Sequence, residues 1–257
     1  MIFLKSVVMA FSTFSRLPMP KTEWRDENMK YMLCAFPLIG IAIGLTLWGW
    51  TSLCTWMGFG NLLRASGMTI VPVAVTGAIH LDGFCDTVDA LSSHADVERK
   101  REILKDPHIG AFGTVALCCY LISYVALCAE LEVNGEVLIM LGMVHVVSRN
   151  LSAFLVVRSD PDERRGMLAT FRRALDVRNT SLSLSAFLIV CFIIGLCTCW
   201  PIWTTAFIGA VICWIWVSRM AKREFGAISG DISGFFVQIC EMCMLALLVL
   251  GQKVVII

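Results

Sequence analysis

Apolar residues gather in seven long stretches, 31–50, 65–80, 111–130, 136–157, 182–199, 201–218 and 235–252, with polar segments between them. A helix needs roughly 20 apolar residues to cross the hydrocarbon core of a bilayer. The pattern therefore predicts seven transmembrane helices, some close to the lower length limit, where the bilayer thins or the span departs from a simple crossing. Ahead of them, Phe3, Leu4, Val7, Val8, Phe11 and Phe14 recur at helical spacing, with Lys5, Ser12, Thr13 and Ser15 interleaved. That pattern suits an interfacial or re-entrant helix. Pro72 and Gly77 predict a bend in the second run. Gly40 and Gly44, four residues apart, offer a small face for close helix approach, although two incidental glycines would look the same.

Composition removes the soluble alternative. Apolar residues make up 58% and charged residues 16%, against about 25% charge in ordinary soluble domains. Mean hydropathy is +0.77. The expected fold is all-α, a polytopic helical bundle in one membrane-embedded domain over 1–257. The twelve cysteines lie mostly inside apolar runs, where Cys acts as a small hydrophobe rather than as part of a disulfide framework.

Net charge is only +1, so total charge suggests no nucleic-acid partner. Its distribution is more telling. Of 21 Lys and Arg, 18 fall in the segments 1–30, 81–110, 158–181 and 219–234, all on one side of a seven-span chain. The positive-inside rule then places the N-terminus and those segments in the cytoplasm. Most acids share that side, which points to a polar site facing the cytoplasm.

The strongest local signal is His80-Leu-Asp-Gly-Phe-Cys-Asp-Thr-Val-Asp89, where the second run ends. Asp82, Asp86 and Asp89 stand at i, i+4 and i+7, on one face if helical. Three carboxylates on one face repel unless a cation neutralises them. Oxygen-only ligands suit Mg²⁺ or Mn²⁺, and Mg²⁺ commonly bridges carboxylates to phosphates. A solvated acidic helix end is the alternative, set against the cost of charge at a membrane boundary. Lys105, in Glu102-Ile-Leu-Lys-Asp106, precedes Gly110 and Gly113 and suits a phosphate, or simply sits in a connecting loop. Gly226, Gly230 and Gly234 flank Asp231, with Lys222 and Arg223 upstream; close packing explains the glycines equally well. Arg149 and Glu241 lie inside apolar runs and are expected to face the interior, near each other.

Taken together, these segments resemble the cobalamin (5′-phosphate) synthase family, the adenosylcobinamide-GDP ribazoletransferases. The resemblance rests on Arg16-Leu-Pro-Met-Pro20, Phe36-Pro-Leu-Ile-Gly40, the His80–Asp89 segment, Glu102–Asp106 leading to Gly110 and Gly113, Val147-Ser-Arg149 and Ser229-Gly-Asp231. It implies a Mg²⁺-dependent enzyme of the bacterial inner membrane, its active site facing the cytoplasm. Such enzymes join adenosylcobinamide-GDP to α-ribazole or α-ribazole 5′-phosphate. The products are adenosylcobalamin or its 5′-phosphate, and GMP.

On this basis Asp82, Asp86 and Asp89 are expected to hold Mg²⁺, and Asp86 or Asp231 to accept the attacking hydroxyl's proton. Arg16, Lys105, Arg149 and Lys222 are expected to bind phosphate oxygens. Ala90, Pro107-His108 and Gln238 depart from the family pattern. The sequence leaves the oligomeric state open, a homo-oligomer included. Two other classes compete. One is a membrane phosphotransferase using a CDP-alcohol, although no Ala-Arg pair follows Gly83. The other is a secondary transporter, whose site would lie near mid-membrane.

Overall fold

The structure is a computed structural model that describes residues 2–158 and 167–255; Arg164 and Arg165 of the basic loop lie outside the described residues. Among the described residues every regular element is a helix. The N-terminal helix α1 (Ile2–Phe14) and the short α2 (Asp26–Met29) precede α3 (Met32–Met57), α4 (Asn61–Thr76), α5 (Ile79–Ser92) and α6 (Val97–Ile103). Then come α7 (Ala111–Glu130), α8 (Gly135–Arg158), α9 (Met167–Ala174), α10 (Val177–Phe225) and α11 (Gly230–Val255).

Five of these helices, α3, α7, α8, α10 and α11, are long and apolar enough to cross a membrane. The second predicted span is broken. α4 ends at Gly77 and Ala78, both with left-handed backbone, and α5 leaves at 94° to it. Pro72 sits within α4, so the turn is made at Gly77 and Ala78.

The 49-residue α10 is not one rod. At Cys199 the backbone leaves helical geometry (φ −148°, ψ 89°), two residues before Pro201. The Phe192 and Phe207 rings lie 5.0 Å apart, and the Trp203 indole covers Gly195. Fifteen residues of straight helix would separate those phenylalanines by about 22 Å. The chain therefore doubles back at Cys199 into two antiparallel arms, as the separate runs 182–199 and 201–218 anticipate. Asn150 Nδ2 donates to Leu184 O of the first arm at 3.1 Å, and Trp214 Nε1 of the second donates to Leu151 O at 3.1 Å.

α8 is the axis of the bundle. It packs most closely on α3, where an alanine Cβ at Gly40 would meet Val146 Cα at 2.6 Å and one at Gly44 would meet Gly142 Cα at 2.9 Å. The small face read from the sequence is thus used for backbone contact. α1 lies against α3 through buried Met9 and Ala10, while Ile2, Phe3 and Leu4 stay exposed.

Two ends of the bundle can be told apart by their contacts. At one, Asn61 Nδ2 donates to Ala129 O (2.7 Å), Lys253 pairs with Glu130 (3.5 Å) and Gln252 bonds the Glu132 backbone. At the other, Arg101 Nε donates to Phe225 O (2.6 Å), Lys100 pairs with Glu224 (2.5 Å) and Lys30 with Asp176 (3.8 Å). The second end carries α5, the start of α11 and most of the charge.

Candidate active site

The acid-bearing α5 packs antiparallel against α11. Gly83 faces Asp231, where a Cβ on Gly83 would lie 2.7 Å from both the Cα and the O of Asp231. Gly234 faces the His80 backbone at 3.2 Å in the same sense. Side chains at these points would wedge the helices apart, so the glycines bring the first turn of α11 beside the acidic face of α5.

Asp82 is exposed, and Asp86 and Asp231 are half-buried. Asp86 lies within electrostatic range of Asp82, Asp231, Asp89 and Asp106. Ser229 Oγ accepts from Ile232 N at 3.2 Å and reaches the Asp231 carboxylate at 3.4 Å, fixing the helix start. Among the described residues, no Lys or Arg pairs with Asp82, Asp86 or Asp231. Among the described residues, then, the site concentrates negative charge with no cation paired to these three acids.

Asp89 is placed differently from the expectation. Its two carboxylate oxygens accept from Gly110 N (2.8 Å) and Gly113 N (2.9 Å), the first amides of α7. Those amides have no partner within the helix, and the helix dipole favours an anion there. Asp89 therefore anchors α7 to α5. It shares a helical face with Asp82 and Asp86, but its oxygens are engaged elsewhere.

Arg149 is also committed. It is 1% exposed and lies deep in the bundle, its Nη1 donating to Glu241 Oε1 (2.6 Å) and to the carbonyl of His145 (3.0 Å). Ser148 Oγ and His145 Nδ1 meet the same Glu241 oxygen at 2.9 Å and 3.0 Å. The expected proximity of Arg149 and Glu241 is observed. The expected phosphate contact is not, because the adjoining space, about 20 Å³, has room for no more than a water. Gln238 lines that small space too.

The remaining expected cations are exposed. The Arg16 stem crosses Gly77 at the α4–α5 corner, where a Cβ would lie 2.6 Å from Arg16 Cγ, and Arg16 N donates to Val75 O (2.8 Å). Lys105 follows α6, which is tied to the end of α10 that carries Lys222. Among the described residues none of these three side chains has an ion-pair partner. In the same loop, hydrogen bonds from His108 hold the Asp106 carboxyl below its ordinary range.

A cavity of about 290 Å³ opens beside Asp82 and Asp231. Phe14, Phe36 and Phe171 form its aromatic wall, with His80 edge-on to Phe36 at 5.7 Å between centroids. The phenylalanines come from three separate helices: Phe14 was legible only as part of an interfacial helix pattern and Phe36 only as part of a family motif, and no local signal marked Phe171 or the wall they form together.

A carboxylate pair on facing helices can hold a hard cation and take up a proton. Among the described residues no three His, Cys, Asp or Glu side chains form a closed metal cage. The donor set nonetheless suits Mg²⁺, which is usually held by one or two carboxylates, with waters and substrate phosphates completing its shell.

Comparison with known proteins points the same way. The family model described as cobalamin-5-phosphate synthase matches residues 6–249. The chain is 35% identical, over its full length and 97% of the relative's, to an adenosylcobinamide-GDP ribazoletransferase of Lachnoclostridium phytofermentans. It is 29% identical to one of Clostridium botulinum, over 93% of this chain and 94% of the relative. A relative of the same name from Geobacillus thermodenitrificans is 26% identical over 90% of each chain. No solved structure matches. With its several apolar spans, this multi-pass membrane chain belongs to the cobalamin-5-phosphate synthase family.

Proposed function

We propose that the chain is an adenosylcobinamide-GDP ribazoletransferase acting at the last stage of cobalamin biosynthesis. It joins adenosylcobinamide-GDP to α-ribazole or α-ribazole 5′-phosphate and releases GMP. The carrying observation is the carboxylate group of Asp82, Asp86 and Asp231, held by the Gly83–Asp231 contact at the charged end of the bundle.

A hydroxyl oxygen of the ribazole sugar bonds to the phosphorus nearer the aminopropanol arm. The bond from that phosphorus to the bridging oxygen breaks, and GMP leaves with the electron pair. Asp86 or Asp231 accepts the hydroxyl proton. Asp82, Asp86 and Asp231 would hold Mg²⁺, whose charge offsets that of the pyrophosphate. Phosphoryl transfer depends mainly on such positioning and neutralisation. Arg16, Lys105 and Lys222, exposed and unpaired among the described residues, bind phosphate oxygens. Asp89 and Arg149 act by holding helices in place. The charge distribution supports seven crossings in the bacterial inner membrane, with the N-terminus and the site in the cytoplasm.

The test is turnover by purified protein in lipid, given both substrates. GMP and a completed cobalamin should appear with Mg²⁺ and cease on chelation. Wild-type turnover by Asp82→Asn at low Mg²⁺ would remove the metal assignment. Release of CMP from a CDP-alcohol, with no GMP from the corrin substrate, would favour the alcohol phosphotransferase.

A further inference from the structure

We infer that the aromatic-walled cavity beside Asp82 and Asp231 seats the flat bicyclic base of α-ribazole, with its ribose turned toward the two carboxylates; this rests on the transferase assignment. The cavity holds about 290 Å³, just under the ~300–1,000 Å³ usual for small-molecule sites. A corrin ring with its rim of amide arms cannot enter a space of that size. One fused aromatic bicycle can.

The walls fit that shape. The Phe14 and Phe36 rings lie 4.7 Å apart, and Phe14 meets Phe171 edge-on at 6.2 Å. Together with His80 they make a continuous aromatic surface against which a flat ring gains both apolar burial and ring stacking.

The polar groups decide between the two bases that the substrates carry. Guanine presents several donors and acceptors, each needing a partner when buried. Of the cavity's two serine hydroxyls, Ser152 Oγ donates to Ser233 O (3.2 Å) and Ser233 Oγ to Ser229 O (3.0 Å). Their protons are already used within the protein, and besides the acids that leaves the unpartnered Nε2 of His80 for a single hydrogen bond. The two acids are assigned to metal and proton. Dimethylbenzimidazole, with two methyl groups and one free ring nitrogen, asks for little hydrogen bonding. Seated there, it leaves the ribose hydroxyls next to Asp231, as the attack requires.

Gly230 supplies the test. It lines the cavity, and a Cβ added to it meets nothing within 4 Å. Gly230→Leu therefore adds bulk at the cavity lining from a position whose first added carbon meets no clash. Phe171→Ala removes part of the wall instead. In both variants the KM for α-ribazole should rise about tenfold or more, since a few methylenes' worth of fit is at stake. The KM for adenosylcobinamide-GDP should change less than about twofold, because that substrate makes no use of the cavity. Free 5,6-dimethylbenzimidazole should compete with α-ribazole and not with the corrin substrate.

An unchanged KM for α-ribazole in both variants would overturn the inference. So would a rise confined to the corrin substrate, which would give the cavity to guanine; the transferase assignment would stand in either case. If wild-type protein released no GMP, that assignment would fall instead. Equilibrium titration of α-ribazole would still test the cavity. Saturable binding weakened by Gly230→Leu supports it, and equal or absent binding in both proteins overturns it.

Discussion

Gly83→Ala puts one methyl group between α5 and α11 at the point where they bring Asp82 and Asp231 together. The added carbon would lie 2.7 Å from Asp231 Cα and 2.7 Å from its carbonyl oxygen. Carbon atoms rest at about 3.5–4.0 Å, so the helices must part locally by roughly 1 Å. The obstacle is backbone, which cannot swing aside as a side chain would. Overpacking of this kind costs about 1–3 kcal/mol of stability. A displacement of about 1 Å in a positioned reaction costs about 100-fold in rate, or roughly 2.7 kcal/mol in the barrier. The assay is GMP release at saturating substrates and Mg²⁺, with thermal melting of the lipid-embedded protein alongside. We expect kcat to fall by about two orders of magnitude while most molecules stay folded. Gly49→Ala, where an added Cβ meets nothing within 4 Å, should match wild type in both assays. A Gly83→Ala enzyme with wild-type kcat and KM would show that the α5–α11 contact does not set the reacting geometry.

Other substitutions separate acids that the sequence makes look alike. Asp89→Ala should lower the melting temperature, because two amide hydrogen bonds to a carboxylate are lost, each worth about 1.5–3 kcal/mol; Asp89→Asn, which keeps one acceptor oxygen, should recover part of it. Asp231→Asn should leave melting near wild type and cut turnover by about 100-fold or more, as expected for a lost general base or metal ligand. Arg149→Met should destabilise by about 3–5 kcal/mol, since it strands the buried Glu241 charge, and the double variant Arg149→Met/Glu241→Met should melt closer to wild type than either single one. Asp176 caps α10 by accepting from Asn179 N (3.1 Å), which holds its carboxyl below the usual range. That contribution is present above the ordinary carboxylate pKa and is lost as pH falls through the depressed one. Asp176→Ala should therefore lower the melting temperature at neutral pH, and the gap from wild type should close in acid.

What could be read from the sequence follows from which interactions are local. Apolar runs located α3, α7, α8 and α11 closely, since length and hydropathy decide whether a segment crosses lipid. The pair of runs either side of residue 200 foreshadowed the reversal at Cys199, because a proline there ends the first ladder. The four-residue spacing of Gly40 and Gly44 was legible as a packing face, though not that its partner was the α8 backbone around Gly142. Asp82 and Asp86 stood out through charge at a membrane boundary. Asp89 did not differ from them in any local respect. What distinguishes it is contact with Gly110 and Gly113, 21 and 24 residues away. Arg149 was legible as a neighbour of Glu241, 92 residues on, but not that this pairing would occupy its guanidinium in place of a phosphate. Nothing local marks His145, inside an apolar run, as a further partner of Glu241.

The right angle between α4 and α5 also decides which neighbour the acidic helix meets. Turned through 94°, α5 lies antiparallel beside α11, with Gly83 against Asp231. The corner works as an elbow, and its set is held by the left-handed backbone of Gly77 and Ala78. Two residues outside the carboxylate group thus govern its assembly: a change that straightened the elbow would swing Asp82 and Asp86 off Asp231 together.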